Sequence, residues 1–254
     1  MTVAIDPLLL LVLLAGACAY FGRDLVPHLL ARAAAPIVRW WIERVHLPPG
    51  ARIVPLVGPI HTPKIGGALA SIRKAGGGPI YLLIHTYGGS LVPASTAARA
   101  LARYEGQVLA VVPTYAWSCG TQIACAADQI LLGPDATLGP CDPYTEQDGS
   151  KLMSGPVLEA ARQGIAIDLL RARQVHDEVR VSIERARRGR GVAPDLAART
   201  AKVLTSGEYG DHYRPIYQED ASELGLPAYP LRNPRIWDLL ARLCERALPA
   251  DERS

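Results

Sequence analysis

The sequence lacks most of the features that would mark a metal, nucleotide or nucleic-acid protein. Its five cysteines, Cys18, Cys119, Cys125, Cys141 and Cys244, form no C-x-x-C pair and stand at no ligand-like spacing from a histidine. Neither a disulfide framework nor a zinc or other metal site is therefore indicated, and a reducing compartment fits. There is no glycine-rich phosphate loop, so no cofactor is expected. The net charge of +3 over 254 residues is too small to suggest a nucleic-acid partner. No internal repeat is visible. G-x-S-x-G is absent too, because Ala116 stands two before Ser118, which argues against an α/β-hydrolase elbow. What is present is 49% hydrophobic and 20% charged residues, the balance of a globular chain.

Charge is also missing from Pro7 to Gly22, "PLLLLVLLAGACAYFG". A bilayer takes about 20 apolar residues as a helix, with a lower limit near 17. A cleaved signal peptide would want basic residues before the run, and none is there, although "AGACA" resembles a cleavage site. A buried core helix is a third reading. An uncleaved anchor is the reading expected here. Arg23, Arg32, Arg39, Arg44 and Arg52 all follow the run, so the positive-inside rule puts the remainder in the cytoplasm, with the chain a single-pass protein of the cell membrane. Leu29–Ala35 and Ile37–Val45 continue as an amphipathic helix, with Trp40 and Trp41 at headgroup level. The linker "HLPPGAR" (46–52) then breaks the helix. Three segments follow from this: an anchor and juxtamembrane helix (1–49), a globular domain (50–230) and a helical tail (231–254).

Apolar runs alternate with helical stretches through the globular part. "IVPLVG", "PIYLLIHT" (79–86), "QVLAVVPTY" (107–115) and "QILLGP" (129–134) read as strands. Ala68–Lys74, "LVPASTAARALARYEG" (91–106) and "SCGTQIACAAD" (118–128) read as the helices between them. That order predicts an α/β fold with a mostly parallel sheet. "HTYGGS" and "AWSCGT" each begin where a strand ends, so both lie on the carboxyl edge, where open α/β sheets bind ligands. Ser118 faces that edge as a candidate nucleophile, and Gly88, Gly89 and Cys119 supply backbone amides that could hold an oxyanion. These are the parts needed for acyl transfer. Ser118 reads equally well as a helix N-cap, and Gly88–Gly89 as a turn.

Three blocks in order carry a family resemblance: "LLIHTYGGSLVPASTAARAL", "VPTYAWSCGTQIACAADQILLGPDATLGPCDPY" and "VLTSGEYGDHYRPIYQEDASELGLP". Over roughly residues 50–230 the chain resembles the serine dehydrogenase proteinase family, membrane-anchored prokaryotic members of the Clp-protease and crotonase superfamily. The resemblance implies a β-β-α superhelix, peptide-bond hydrolysis by a serine, a peptide or protein substrate and a homo-oligomer. It also implies a Ser-Asp-His triad, carried here by Ser118, Asp142 in "LGPCDPY" and His212 in "GDHYRPI". The chain departs from the family pattern in three places. Tyr87 replaces a proline before the glycines, Cys119 replaces a glycine after the serine, and the Asp211–His212 pair is in exchanged order. Related signal peptide peptidases pair serine with lysine, which makes Lys151 the alternative base. Taken alone, Asp142 also reads as a turn residue before proline and His212 as a surface-loop histidine. His85 reads as ending a strand and shaping the glycine turn. A non-catalytic membrane scaffold and a crotonase-like acyl thioester enzyme are the readings from other classes.

Residues 156–191 read as a long helix or helical pair with Leu169, Leu170, Val175, Val179 and Ile183 at helical spacing. It would serve as a lid, an oligomer contact or a core-facing helix. The arginine run "RARRGRG" (185–191) reads first as a solvated helix end and second as a contact for anionic lipid. Leu231–Leu248 reads as a last helix.

Overall fold

The computed structural model describes residues 25–147, 150–153, 169–209, 212 and 214–252. Five strands form one parallel sheet: β1 (Arg52–Val57), β2 (Ile80–His85), β3 (Val108–Val112), β5 (Gln129–Leu132) and β9 (Ala228–Pro230), in the order β1-β2-β3-β5-β9. Each new strand adds to the same edge, so the chain advances across the sheet in one direction. The register pairs Leu82 with Val54 on one side and with Ala110 on the other. Helix α1 (Leu25–Val45) precedes β1, and between the strands run α2 (Thr62–Lys74), α3 (Leu91–Ala102) and the short α4 (Cys119–Ala124). Beyond β5 come α5 (Leu169–Gly189), α6 (Pro194–Thr205), α7 (Gln218–Glu223) and α8 (Pro234–Arg246). A small parallel pair, β4 (Tyr115–Ala116) with β6 (Thr137–Leu138), and an antiparallel hairpin, β7 (Tyr144–Gln147) with β8 (Ser150–Met153), complete the elements.

The strands are continuous apolar runs because both faces of the sheet are covered. Side chains alternate between two cores. Val54, Leu56, Leu82, Ile84, Ala110 and Ile130 point toward the layer that includes α2–α6. Ile53, Val57, Leu83 and Val111 point the other way, onto Val38 and Ile42 of α1 and Trp237 and Leu240 of α8. Each fully buried leucine or isoleucine here contributes about 1.5–3 kcal/mol relative to an exposed one. The segments expected at either end of the globular part thus meet on one face of its sheet. The Ile53 amide donates to Glu43 Oε1 at 2.8 Å, tying α1 to β1.

Among the described residues no helix is long and apolar enough to cross a membrane. The anchor expected over Pro7–Gly22 lies outside the described residues. The helix expected after it is present as α1, with Trp40 on its outer face and Trp41 turned partly inward.

Two expectations are corrected by the packing. Helix α2 starts at Thr62, earlier than the apolar pattern suggested, because His61 caps it, its Nδ1 accepting from the Lys64 amide, and Pro63 lies in its first turn. The arginine run is not a solvated end throughout. Arg187 is 4% exposed and donates to the Gly225 carbonyl at 3.1 Å. Arg190 reaches back to the carbonyls of Ala126, Gly106 and Leu101 and to Asp128. A guanidinium carries five donors in a fixed fork, and here it gathers carbonyls left over where α3 and α4 end. Only Arg185 and Arg188 of the run face solvent.

Candidate active site

The loops that leave β2 and β4 are stitched together. The Trp117 amide donates to the Thr86 carbonyl at 2.9 Å, and Thr86 bridges Ala116 in parallel fashion. This brings Gly88 against Ser118: a Cβ added at Gly88 would stand 3.0 Å from the Ser118 Cβ and 3.2 Å from the Trp117 carbonyl oxygen. At φ +119° the position also disfavours a side chain. Gly89, at φ +148°, lies so close to the Ile60 backbone that no Cβ fits.

Ser118 itself holds φ 51° and ψ −116°, a conformation rare outside glycine that costs about 1–3 kcal/mol. Its surroundings fix that geometry. The Gly120 amide donates to Trp117 O at 2.7 Å and the Gln122 amide to Ser118 O at 3.0 Å. Thr121 Oγ1 donates to Ala116 O at 2.6 Å while accepting from the Gly139 amide at 3.0 Å. The Cys141 thiol donates to Ser118 O at 3.3 Å. Although Ser118 occupies the N-cap position of α4, its hydroxyl makes no cap hydrogen bond. The capping role open in the sequence is therefore not the one the serine performs.

Ser118 opens onto a cavity of about 250 Å³ that also includes Gly89, Leu91, Cys119, Cys141 and Pro143 in its lining. Among the described residues, the amides of Gly89 and Cys119 donate to no carbonyl. Gly88 is different. Its amide already donates to Thr86 Oγ1 at 3.0 Å, so it is not available to an oxyanion, and its contribution is the close approach to Ser118. The thiols beside the serine are poor competitors for its role. Burial pushes Cys119 up to about 11 and Cys141 well above the ordinary thiol value, so both stay protonated near neutral pH.

Asp142 follows Cys141 directly and is 2% exposed. Its Oδ1 lies 2.7 Å from His212 Nδ1. The two candidates named from separate sequence blocks are thus one hydrogen-bonded pair, and Asp142 stands in the chain between Cys141 and Pro143, which line the serine's cavity. Lys151 lies on β8, opposite Glu146 in the hairpin register. Asp211 lies outside the described residues. His85 belongs to the other face of the sheet: its Nδ1 is 2.6 Å from Thr114 Oγ1 and its Nε2 is 3.6 Å from Glu245 of α8. Among the described residues no group of histidine, cysteine and carboxylate side chains could hold a metal ion.

Four contributors escaped the sequence reading: Thr86, Thr121, Gln122 and Cys141. Thr86, Thr121 and Cys141 hold loops and Gln122 ties helices, each through a small or polar side chain that leaves no periodic signal. The threonine three after the serine was the visible clue.

Three aromatic rings cluster beside the serine. Tyr87, 56% exposed, stacks on Tyr115 at 4.2 Å between ring centroids and meets Trp117 edge-on at 5.8 Å. The proline expected before the glycines is thus replaced by a ring that leans over the same ledge.

A one-directional parallel sheet with a strained serine held against a glycine loop at its carboxyl edge defines an α/β protein of the Clp-protease architecture. Residues 64–245 match the family described as ClpP-like SDH-type serine proteinase, and the chain belongs to it. Two relatives come from Methanocaldococcus jannaschii: the uncharacterized protein MJ0137, 34% identical over 58% of this chain and 52% of its own, and the uncharacterized protein MJ1495, 27% identical over 64% and 56%. The chain thus spans about half the length of these curated relatives. Two solved structures share its fold. One is the 1510-N membrane-bound stomatin-specific protease as a serine-to-alanine mutant, with 14% identity, 80% of this chain and 89% of that one covered, and a TM-score of 0.51. The other is the same protease as a lysine-to-alanine mutant in complex with a substrate peptide, with 15% identity, coverage of 73% and 77%, and a TM-score of 0.51.

Proposed function

We propose that the protein is a serine peptidase in which Ser118 attacks the peptide carbonyl, His212 takes and returns the proton, and Asp142 orients the imidazole. A serine hydroxyl needs such a base to become nucleophilic. The observation that carries the reading is the 2.7 Å contact between His212 Nδ1 and Asp142, a residue whose chain neighbours Cys141 and Pro143 line the Ser118 cavity. With Nδ1 on the carboxylate, Nε2 is the atom proposed to work on the hydroxyl. The amides of Gly89 and Cys119 receive the negative oxygen as the carbonyl becomes tetrahedral. The leaving amine takes the proton from His212, and water then repeats the cycle on the acyl-serine.

A second reading uses Lys151 as the base. It is favoured by the likeness to a protease whose lysine-to-alanine mutant was solved with a substrate peptide. An ammonium must be desolvated to serve as a base near neutral pH.

Fluorophosphonate labelling with peptide turnover tests the reading. Wild type labels and cleaves, while Ser118→Ala does neither. A wild type as inert as Ser118→Ala sinks the peptidase reading and leaves the scaffold. Turnover of acyl thioesters that survives Ser118→Ala favours crotonase-like chemistry. Loss on His212→Gln with retention on Lys151→Met selects the triad, and the opposite pair selects the dyad.

The same proposal places the domain against the cytoplasmic side of a membrane, tethered by the uncharged run at 7–22. Helix α1 supports it: Leu29, Ile37 and Trp40 are exposed on an outer face that also carries Arg32 and Arg44, the pattern of an interfacial helix beside anionic lipid. Carbonate-resistant sedimentation that is lost on deleting residues 1–24 is the expected result. A homo-oligomer is proposed on the family's habit, and light scattering of the detergent-solubilised chain tests it.

A further inference from the structure

The cavity beside Ser118 ends on a side chain that no part of the proposed reaction uses. Gln122, on α4, is 1% exposed and lines the cavity. Its amide nitrogen donates to Ser95 Oγ of α3 and to Ser182 Oγ of α5, each at 3.0 Å. Those two bonds fix the carboxamide plane and use both of its donors. Among the described residues the side-chain carbonyl oxygen accepts no hydrogen bond. That oxygen is the acceptor the cavity offers to a bound donor, and a good hydrogen bond to it is worth about 0.5–1.5 kcal/mol. Besides Ser118 and Gly89, the remaining walls are Ser90, Leu91, Val175, Val179, Pro143 and the two protonated thiols, with no charged side chain among them.

Resting on the peptidase reading, we propose that this cavity receives the substrate side chain next to the scissile bond. Gln122 is then a specificity-determining residue that selects an uncharged side chain with an apolar stem and an N–H donor at its tip, glutamine above all. The apolar walls take the methylenes, and the Gln122 oxygen takes the amide hydrogen. A leucine of similar volume fills the space but leaves the acceptor unmatched. A carboxylate is repelled by that oxygen, and an ammonium finds no counter-charge to offset its lost hydration.

The test is a set of fluorogenic peptides differing only at the residue before the cleaved bond: alanine, leucine, glutamine, glutamate and lysine. Wild type is expected to prefer glutamine over leucine by about tenfold in kcat/KM, the size of one well-made hydrogen bond to a buried acceptor, and to disfavour glutamate and lysine further. In Gln122→Met the glutamine-to-leucine ratio falls to about one or below, since the acceptor is gone while the volume is kept. Because Gln122 also bridges three helices, Val175→Phe on the opposite wall provides a second arm. It narrows the cavity and shifts preference toward alanine. Equal cleavage of all five peptides by wild type overturns the proposal, as does an unchanged ratio in Gln122→Met. Fluorophosphonate labelling run on each protein separates the two levels. A labelled enzyme without the selectivity overturns the cavity assignment alone, whereas a wild type that neither labels nor cleaves overturns the peptidase reading with it.

Discussion

Two of the histidine–carboxylate pairs among the described residues, one on each side of the sheet, differ in almost everything but composition. His212 meets Asp142 at 2.7 Å in the loops that surround the Ser118 cavity. His85 ends β2, is 5% exposed, and stands 3.6 Å from Glu245 with its other nitrogen held by Thr114. In the first pair the carboxylate is the more deeply buried member, its side chain 3% exposed against 17% for the imidazole. In the second the imidazole is sealed under α8, and the Tyr115 ring packs on it at 4.2 Å. In the proposed reaction an imidazole that a carboxylate orients serves as a base. When both nitrogens are spoken for inside the fold, it serves as a brace.

The sharpest way to break that contrast is to exchange each histidine for glutamine. His212→Gln should lower kcat/KM by about 10²–10⁴, the usual share of a general base, with little change in melting temperature. His85→Gln should leave turnover within a few-fold. Peptide hydrolysis with purified variants decides, and the reverse pattern would end the distinction between base and brace. The next effect concerns two arginines, one held by interior carbonyls and one in an exposed ion pair with Glu184. Arg190→Ala should cost about 3 kcal/mol in urea denaturation because several interior carbonyls lose their donor together, whereas Arg188→Ala should fall within about 0.5 kcal/mol of wild type. A smaller loss, about 1–2 kcal/mol, is expected for His85→Ala, which leaves the Thr114 hydroxyl without its ring partner.

The smallest effect is the dependence of stability on pH. Burial lowers the His85 value, against the upward pull of Glu245 and Asp238, and burial likewise lowers His176. Between the lowered folded value and the ordinary value of about 6.5, the unfolded chain binds more protons. Stability should therefore rise with pH through that window and level off above about 6.5. His85→Gln should flatten part of the rise while leaving the pH profile of catalysis in place. Chemical denaturation between pH 5 and about pH 8 measures it.

Much of this architecture is legible from residue pattern, and the reasons are physical. The strands "IYLLIH" and "VLAVV" announce themselves because a sheet covered on both faces needs apolar side chains at every position. Ser118 and the glycine loop could be placed on one edge because both follow strands of a parallel sheet. The pairing of Asp142 with His212 came from resemblance, since nothing local links positions so far apart. Strand β9 went unread because three residues, "AYP", carry no period. The buried arginines were misread because a helix that ends in arginines looks solvated unless the carbonyls waiting for it are known. Gly88 was read as an amide donor when its neighbour's hydroxyl had already claimed that amide.

Strand β9 has one more consequence. It lies beside β5, with Ala228 opposite Ile130, and the Leu231 amide closes onto Leu132 O at 2.7 Å. A ribosome working at about 5–20 residues per second delivers Ala228 roughly 5–20 s after Ile130. For that interval the nascent sheet presents a bare rim of unpaired amides and carbonyls, a template for any extended segment nearby. Vectorial synthesis therefore exposes this protein to mispairing at the one border its own last strand is meant to seal, and crowding of polysomes on the same message would make neighbouring copies the first partners available.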